Sequence, residues 1–133
     1  MIYHTTREAM DFEGFVSGSF RDLKAAVLQA VRLCEDNGCK FDLIAVQGTS
    51  GMAVGFPLSV ALDKEIVVLR KSDENCHGSG GELIGGRRVK GKRVLFVDDF
   101  VSMGRTRTRV REAVERHGGR MVAQVTNDGY ETL

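Results

Sequence analysis

The fold of this chain is decided by Val94-Leu95-Phe96-Val97-Asp98-Asp99-Phe100-Val101-Ser102-Met103-Gly104-Arg105-Thr106. The first four residues are apolar and predict a short strand that is buried on both faces of a sheet. Asp98 and Asp99 follow where that strand ends, and open α/β sheets bind their ligands at this edge. An ordinary buried strand followed by two surface aspartates is the alternative interpretation.

A turn with hydroxyl groups follows the two carboxylates. Ser102, Gly104 and Thr106 place two hydroxyls around a glycine, and a helical pattern begins directly behind them. The first backbone N–H groups of a helix are unpaired and lie at its electropositive end, so this turn suits a phosphate. The nearby carboxylates repel phosphate but suit neutral hydroxyls or a metal ion. The stretch therefore predicts a ligand that contains both a sugar and a phosphate.

Length and composition indicate one globular domain over residues 1–133. Hydrophobic residues make up 42% and charged residues 28%, and the apolar runs are far too short to cross a membrane. The 19 basic and 18 acidic residues nearly balance, so the overall charge identifies no partner. Three cysteines without a CxxC pair, and an N-terminus without a secretory signal pattern, predict a cytoplasmic protein with reduced thiols.

Helix and strand patterns alternate along the chain. They predict helices at about 19–37 and 106–117, a further helix that runs from a tight turn at 48–51 to about Leu62, and strands at about 42–47, 65–70, 92–97 and 121–126. This alternation implies right-handed crossovers and an α/β fold, a Rossmann-like parallel sheet of four to five strands with flanking helices. Residues 1–18 have a weak pattern and are interpreted as an N-terminal arm or a vestigial hood.

Two more polar groups lie at predicted strand ends. Gly48-Thr49-Ser50-Gly51 forms either a nest of N–H groups for an anion or a plain turn between a strand and a helix. Arg70-Lys71 either places two cations at the same sheet edge or is an ordinary surface pair. The glycine-rich stretch 72–90 is longer than a usual connection and predicts a flexible lid loop.

Arg105, Arg107, Arg109 and Arg111 crowd the start of a predicted helix, where cations are unfavourable unless an anion is bound. Their alternation directs them to different faces of that helix. A solvated face, the steering of a phosphate and a contact with nucleic acid are all compatible with this run. We favour the phosphate, because the chain is otherwise close to neutral.

The stretch quoted first resembles the ribose-phosphate motif of the type I phosphoribosyltransferases. That motif has an apolar strand, two acidic residues, two apolar residues and then Thr/Ser-x-Gly-x-Thr/Ser. The resemblance implies that Asp98 and Asp99 bind the ribose hydroxyls of phosphoribosyl pyrophosphate (PRPP). It also implies that the 5′-phosphate is held by Ser102, Met103, Gly104, Arg105 and Thr106.

A second segment is similar to the catalytic loop of the orotate branch of this family, which contains His-Gly-x-Gly-Gly and an apolar pair before a glycine. It is Cys76-His77-Gly78-Ser79-Gly80-Gly81-Glu82-Leu83-Ile84-Gly85. The resemblance implies a catalytic role for Asp98, Asp99, Lys71 and His77, and Mg²⁺ held indirectly by Asp98 and Asp99. It implies that the pyrophosphate is bound by Gly48, Thr49, Ser50, Gly51 and Arg70.

The chain also departs from the orotate branch. The loop lysine expected before His77 is missing from residues 72–76, and residues 1–18 lack the lysine and paired aromatics of a full hood. The usual arginine after the last strand is absent near residues 128–130, so orotate is not the expected base.

The sequence as a whole predicts a homodimeric phosphoribosyltransferase of nucleotide synthesis or salvage. Such a protein binds PRPP with Mg²⁺, transfers the phosphoribosyl group to a nitrogenous base and releases pyrophosphate. The alternative is a non-catalytic regulator that senses PRPP or binds nucleic acid with the same fold, which the missing loop lysine favours.

Overall fold

A computed structural model describes residues 20–70, 82–98 and 104–133 of the chain. The predicted arm at 1–18 lies outside these ranges. Within them the helices are α1 (Phe20–Asp36), α2 (Gly48–Leu62) and α3 (Arg105–Arg116). The strands are β1 (Leu43–Val46), β2 (Glu65–Leu69), β3 (Leu83–Ile84), β4 (Arg93–Val97), β5 (Arg120–Thr126) and β6 (Gly129–Thr132).

The strands form one six-stranded sheet in the order β3-β2-β1-β4-β5-β6. β1 pairs in parallel with β2 and β4, and β4 pairs in parallel with β5. This parallel core of four strands confirms the predicted α/β fold. β3 and β6 add short antiparallel strands at the two edges, which the sequence pattern did not predict.

Alternate residues of the central strands enter two separate apolar cores. Ile44 and Val46 pack with α1 and α2 on one face of the sheet, and Leu43 and Ala45 pack with α3 on the other. Because both faces are covered, all four residues of β1 are buried, as expected for a strand in the middle of a parallel sheet.

The predicted lid is too long at its C-terminal end. Residues 82–90 contain β3 and a short 3-10 helix at Gly86–Arg88, with Leu83 and Val89 fully buried. The Arg116 guanidinium donates two hydrogen bonds to the Glu82 carboxylate, at 2.9 and 2.8 Å, which fastens β3 to the end of α3. The prediction was wrong for this part because these contacts join residues far apart in sequence. Residues 72–81 lie outside the described ranges.

No helix in the described ranges is long and apolar enough to cross a membrane.

Candidate functional site

Four parallel strands end at the same edge of the sheet, and each is followed by a polar residue or a helix start. Arg70 follows β2, Gln47 and the start of α2 follow β1, Asp98 follows β4, and Asn127 follows β5. Because these strands are neighbours in the order β2-β1-β4-β5, the four groups lie in a row. At the usual strand spacing this row is about 14 Å long, which suits a small phosphorylated sugar.

Asp98 stands at the centre of this row. The residue is only 7% exposed, and its backbone N–H donates a hydrogen bond to the carbonyl of Val125 at 3.2 Å. This bond continues the pairing of β4 with β5 by one residue, so the backbone that carries the carboxylate is fixed. Asp99, the second predicted ribose ligand, lies outside the described residues.

The predicted turn at 48–51 is the first turn of α2. Gln47 is the N-cap in extended conformation and makes no side-chain capping bond, while Gly48 has a φ of +86°. The first N–H groups of α2 therefore face the edge of the sheet without a capping side chain, as an anion requires. Thr49 is exposed and Ser50 is half-buried, so both hydroxyls lie near this opening.

Two glycines bring α2 unusually close to the sheet. A Cβ atom on Gly51 would lie 2.8 Å from the Val97 carbonyl oxygen, and one on Gly55 would lie 2.6 Å from Cγ1 of Val46. Real Cβ atoms essentially never approach so closely. Gly51 thus places the start of α2 directly against the residue that precedes Asp98. The sequence predicted Gly51 as an anion ligand, but the Gly-x-x-x-Gly spacing also signals this close approach.

Gln47 connects three parts of the edge and was not predicted as a site residue. Its Nε2 donates to the carbonyl of Arg70 at 3.2 Å, and its Oε1 accepts a hydrogen bond from Nη2 of Arg109 at 3.3 Å. The same Nη2 donates to Oγ1 of Thr106 at 3.4 Å. The ends of β1 and β2 are therefore linked to the first turn of α3. Gln47 is 5% exposed, so this link lies in a protected position.

The run of arginines divides between different partners, as its alternation predicted. Arg107 donates through Nη1 to Oε1 of Gln124 in β5 at 3.2 Å, whereas Arg109 donates to Gln47 at the end of β1. Arg105 is exposed in the first turn of α3, and Gly104 before it is the N-cap with a φ of +72°. Arg105 therefore lies at the open end of α3, where the phosphate was predicted.

All nine of the predicted site residues within the described ranges lie at one edge. These are Gly48, Thr49, Ser50, Gly51, Arg70, Asp98, Gly104, Arg105 and Thr106. The other predicted residues lie outside the described ranges, so their placement stays a prediction. They are Lys71, His77, Asp99, Ser102 and Met103.

Several known proteins with similar sequences are phosphoribosyltransferases. The adenine phosphoribosyltransferase of Agathobacter rectalis is 30% identical over 123 aligned residues, which cover 77% of this chain and 71% of that protein. The orotate phosphoribosyltransferase of Erythrobacter litoralis is 30% identical over 103 residues, covering 77% of this chain. The chain spans about half of that relative's length, 51%.

A solved structure agrees with the sequence relatives. The crystal structure of adenine phosphoribosyltransferase from Thermoanaerobacter pseudethanolicus matches with a TM-score of 0.65 and 26% identity, covering 80% of this chain and 67% of that one. No protein-family model matches the sequence. The similarity to the adenine phosphoribosyltransferase of Agathobacter rectalis nevertheless extends over most of both sequences, and it shows the family. This chain belongs to the type I phosphoribosyltransferase family.

Proposed function

We propose that this chain binds PRPP together with Mg²⁺ and transfers its phosphoribosyl group to a nitrogenous base, with release of pyrophosphate, in nucleotide synthesis or salvage. One observation carries the proposal. The starts of α2 and α3 lie on opposite faces of the sheet at the same edge, with Asp98 between them. PRPP has the matching chemistry, because its ribose hydroxyls lie between a pyrophosphate and a 5′-phosphate.

Each part of this edge has a defined task in the proposed reaction. The first turn of α2 and the Arg70 cation bind the pyrophosphate, Asp98 accepts hydrogen bonds from the ribose hydroxyls, and the start of α3 binds the 5′-phosphate. A lone pair of a ring nitrogen forms the new bond to the anomeric carbon. The electron pair of the broken carbon–oxygen bond leaves with the pyrophosphate, and the ring nitrogen loses its proton to water.

The donor set is compatible with Mg²⁺ that arrives with the substrate. The described residues contain no group of three or more His, Cys, Asp or Glu side chains that could form an all-protein metal cage. Mg²⁺ usually keeps several waters and needs only one or two carboxylates beside substrate phosphates. Asp98, with Asp99 beside it in sequence, would hold the ion through ribose oxygens or water. When bound, the ion would neutralise charge on the pyrophosphate.

The proposal includes the predicted homodimer and the cytoplasmic location. The outer side of α2 supports the dimer, because the 15 residues of this helix include no charged side chain. Phe56 and Val60 are 45% and 82% exposed on it. A helix that is apolar on all sides is normally covered, and a second copy of the chain would cover this one. The role of His77 in a closing loop stays a prediction from the sequence.

The test is calorimetric titration of Mg·PRPP into the wild-type protein and into Asp98→Asn. Loss of the carboxylate leaves ribose hydroxyls without their charged partner, which costs about 1–3 kcal/mol and weakens binding roughly 5- to 150-fold. Asp128→Asn is the matched control, since Asp128 is an exposed carboxylate in the turn between β5 and β6 and does not follow β4. Equal affinity in Asp98→Asn and wild type would refute the ribose assignment.

Pyrophosphate release with a panel of bases then separates the enzyme from the regulator. The missing loop lysine removes one cation that could meet charge on the leaving group, so we expect slow turnover. Tight PRPP binding without release of pyrophosphate for any base would favour a PRPP-sensing regulator instead. Salt-dependent binding of generic RNA or DNA would favour the nucleic-acid alternative.

A further inference from the structure

Gln47 is a buried amide whose two ends bind different parts of the candidate site, and it is 5% exposed. Its Nε2 donates to the carbonyl of Arg70 after β2 at 3.2 Å, and its Oε1 accepts from Nη2 of Arg109 in α3 at 3.3 Å. Turning the amide over would place a donor against the guanidinium and an acceptor against the carbonyl. The amide therefore has one orientation, in which it joins the end of β2 to α3.

The strand geometry explains why this side chain lies on the side of α3. Side chains of a strand alternate between the two faces of the sheet, and Leu43 and Ala45 of β1 enter the core that α3 covers. Gln47 is still in extended conformation and continues this alternation by one step. Its backbone is the N-cap of α2 on the other face, but its side chain makes no capping bond there. The amide is therefore not needed to start α2.

Arg109 continues the connection to the start of α3. Side chains of a helix lean towards its N-terminus, so Arg109 reaches back over one turn, and its Nη2 also donates to Oγ1 of Thr106 at 3.4 Å. A hydroxyl that accepts a hydrogen bond from an arginine keeps its own hydrogen for another acceptor. The Thr106 hydroxyl is thus set to donate at the end of the helix where an anion is favoured.

We propose that Gln47 is a positioning residue for the 5′-phosphate of the substrate. This inference rests on the proposed function, in which the start of α3 binds that phosphate. Gln47 acts through Arg109, because it holds the guanidinium beside Thr106 so that the cation and the hydroxyl meet the phosphate together. Its other end is bonded to the strand end that carries Arg70, so the groups for the two phosphate ends of the substrate are held at a defined separation.

The contact with Arg109 should contribute more to binding than the contact with the Arg70 carbonyl. Arg109 is exposed, and an exposed arginine loses much rotamer freedom when it binds a ligand. A bond that orders the side chain before the ligand arrives reduces this loss. Hydrogen bonds to a charged group are also stronger than bonds between neutral groups. Loss of the Gln47 amide should therefore affect the 5′-phosphate more than the pyrophosphate.

The experiment is a double-mutant cycle with Gln47→Leu and Arg109→Leu, measured by NMR titration of ribose 5-phosphate, which detects weak binding. Leucine removes both polar ends of the glutamine and keeps much of its volume. We expect Gln47→Leu to weaken ribose 5-phosphate binding about five- to tenfold and Mg·pyrophosphate binding less than about threefold. In the Arg109→Leu protein, Gln47→Leu should cause no further loss of ribose 5-phosphate affinity.

Asn37→Leu is the matched control for removal of an amide. Its Nδ2 donates to the carbonyl of Leu33 at 2.7 Å at the end of α1, which precedes β1 and so ends at the opposite edge of the sheet. Asn37→Leu should lower the melting temperature and leave both affinities unchanged.

A second measurement does not depend on the folding of Gln47→Leu. In ¹⁵N-labelled wild-type protein, ribose 5-phosphate should shift the side-chain amide signals of Gln47 and leave those of Asn37 in place. The shift should disappear in Arg109→Leu, because that substitution removes the connection at an exposed position. An unshifted Gln47 amide in wild type would contradict the positioning role.

The outcomes separate this inference from the proposed function. If the cycle gives the expected result but wild type does not bind Mg·PRPP, the proposed function is refuted and the positioning role stands. If wild type binds both ligands and Gln47→Leu weakens neither, the positioning role alone is overturned. Equal losses from Gln47→Leu with and without Arg109 would make Gln47 structural, and a wild type that does not bind ribose 5-phosphate would have no phosphate to position, so either result also overturns it.

Discussion

Gly51→Ala tests whether the close packing of α2 against β4 builds the site. The added methyl would lie 2.8 Å from the Val97 carbonyl oxygen, whereas ordinary contacts begin at 3.4 Å. This oxygen belongs to a central strand that is bonded on both sides, so it cannot move away easily. The helix must shift instead, and the N–H groups of its first turn shift with it.

The magnitude follows from two opposing effects. Forcing a methyl into a packed site costs about 1–3 kcal/mol. Replacing glycine by alanine inside a helix returns about 0.5–1 kcal/mol. We therefore expect a net loss of about 1 kcal/mol in the free energy of unfolding. Hydrogen bonds to a charged group contribute about 1.5–3 kcal/mol, so their displacement should weaken Mg·PRPP binding about tenfold or more.

Denaturant unfolding and calorimetry measure the two quantities separately. Gly55→Ala is the matched control, one helical turn further along the same face. Its methyl would meet side-chain carbons of Val46 and Ile66 at 2.6 and 3.2 Å and no backbone atom, and Gly55 lies beyond the first turn of α2. Gly55→Ala should lose stability but keep its affinity for Mg·PRPP. Equal affinity in Gly51→Ala and wild type, or a more stable Gly51→Ala protein, would show that this packing does not build the site.

Two further predictions concern titrating groups. Hydrogen bonds from the Arg93 side chain and backbone lower the pKa of Asp42 to about 2, below about 3.9 in an unfolded chain. The stabilisation is complete above the unfolded value and is lost as the pH falls towards 2, so Asp42→Asn should flatten the acid limb of the free energy of unfolding against pH. An unchanged slope would contradict this. Burial raises the pKa of Cys34 to about 12. A thiol reagent at neutral pH should therefore modify Cys34 only after denaturation, as followed by mass spectrometry. Rapid modification of Cys34 in the folded protein would contradict this prediction.

Much of the fold could be predicted because the central strands are both apolar and short. The runs at 43–46 and 94–97 are buried on both faces of the sheet, so their apolar composition alone predicts buried strands. β3 could not be predicted in this way, since it has only two residues with one buried and one exposed. It forms because its backbone pairs with β2, where the Arg70 N–H donates to the carbonyl of Glu82 at 2.8 Å.

The site could be predicted only where neighbours in sequence form it. Asp98 and the starts of two helices are local features with a recognisable order along the chain. The bond between Gln47 and Arg109 joins residues 62 positions apart, and no local pattern predicts it. Asn127 resembles an ordinary turn residue in Asn127-Asp128-Gly129. Its burial, and the lack of a hydrogen-bond partner for its amide among the described residues, appear only in the structure.

The charge at the start of α3 gives an independent reason for an anion at this edge. Three arginines, Arg105, Arg107 and Arg109, lie in its first five residues, and its first turn has no acidic side chain. Cations at a helix N-terminus are unfavourable. Arg107 donates to the neutral amide of Gln124, and Arg109 donates to the neutral amide of Gln47 and to the hydroxyl of Thr106. These partners orient the guanidinium groups without cancelling their charge. The phosphate of the proposed substrate would supply the compensating charge, which gives this arrangement of cations a reason in the proposed function.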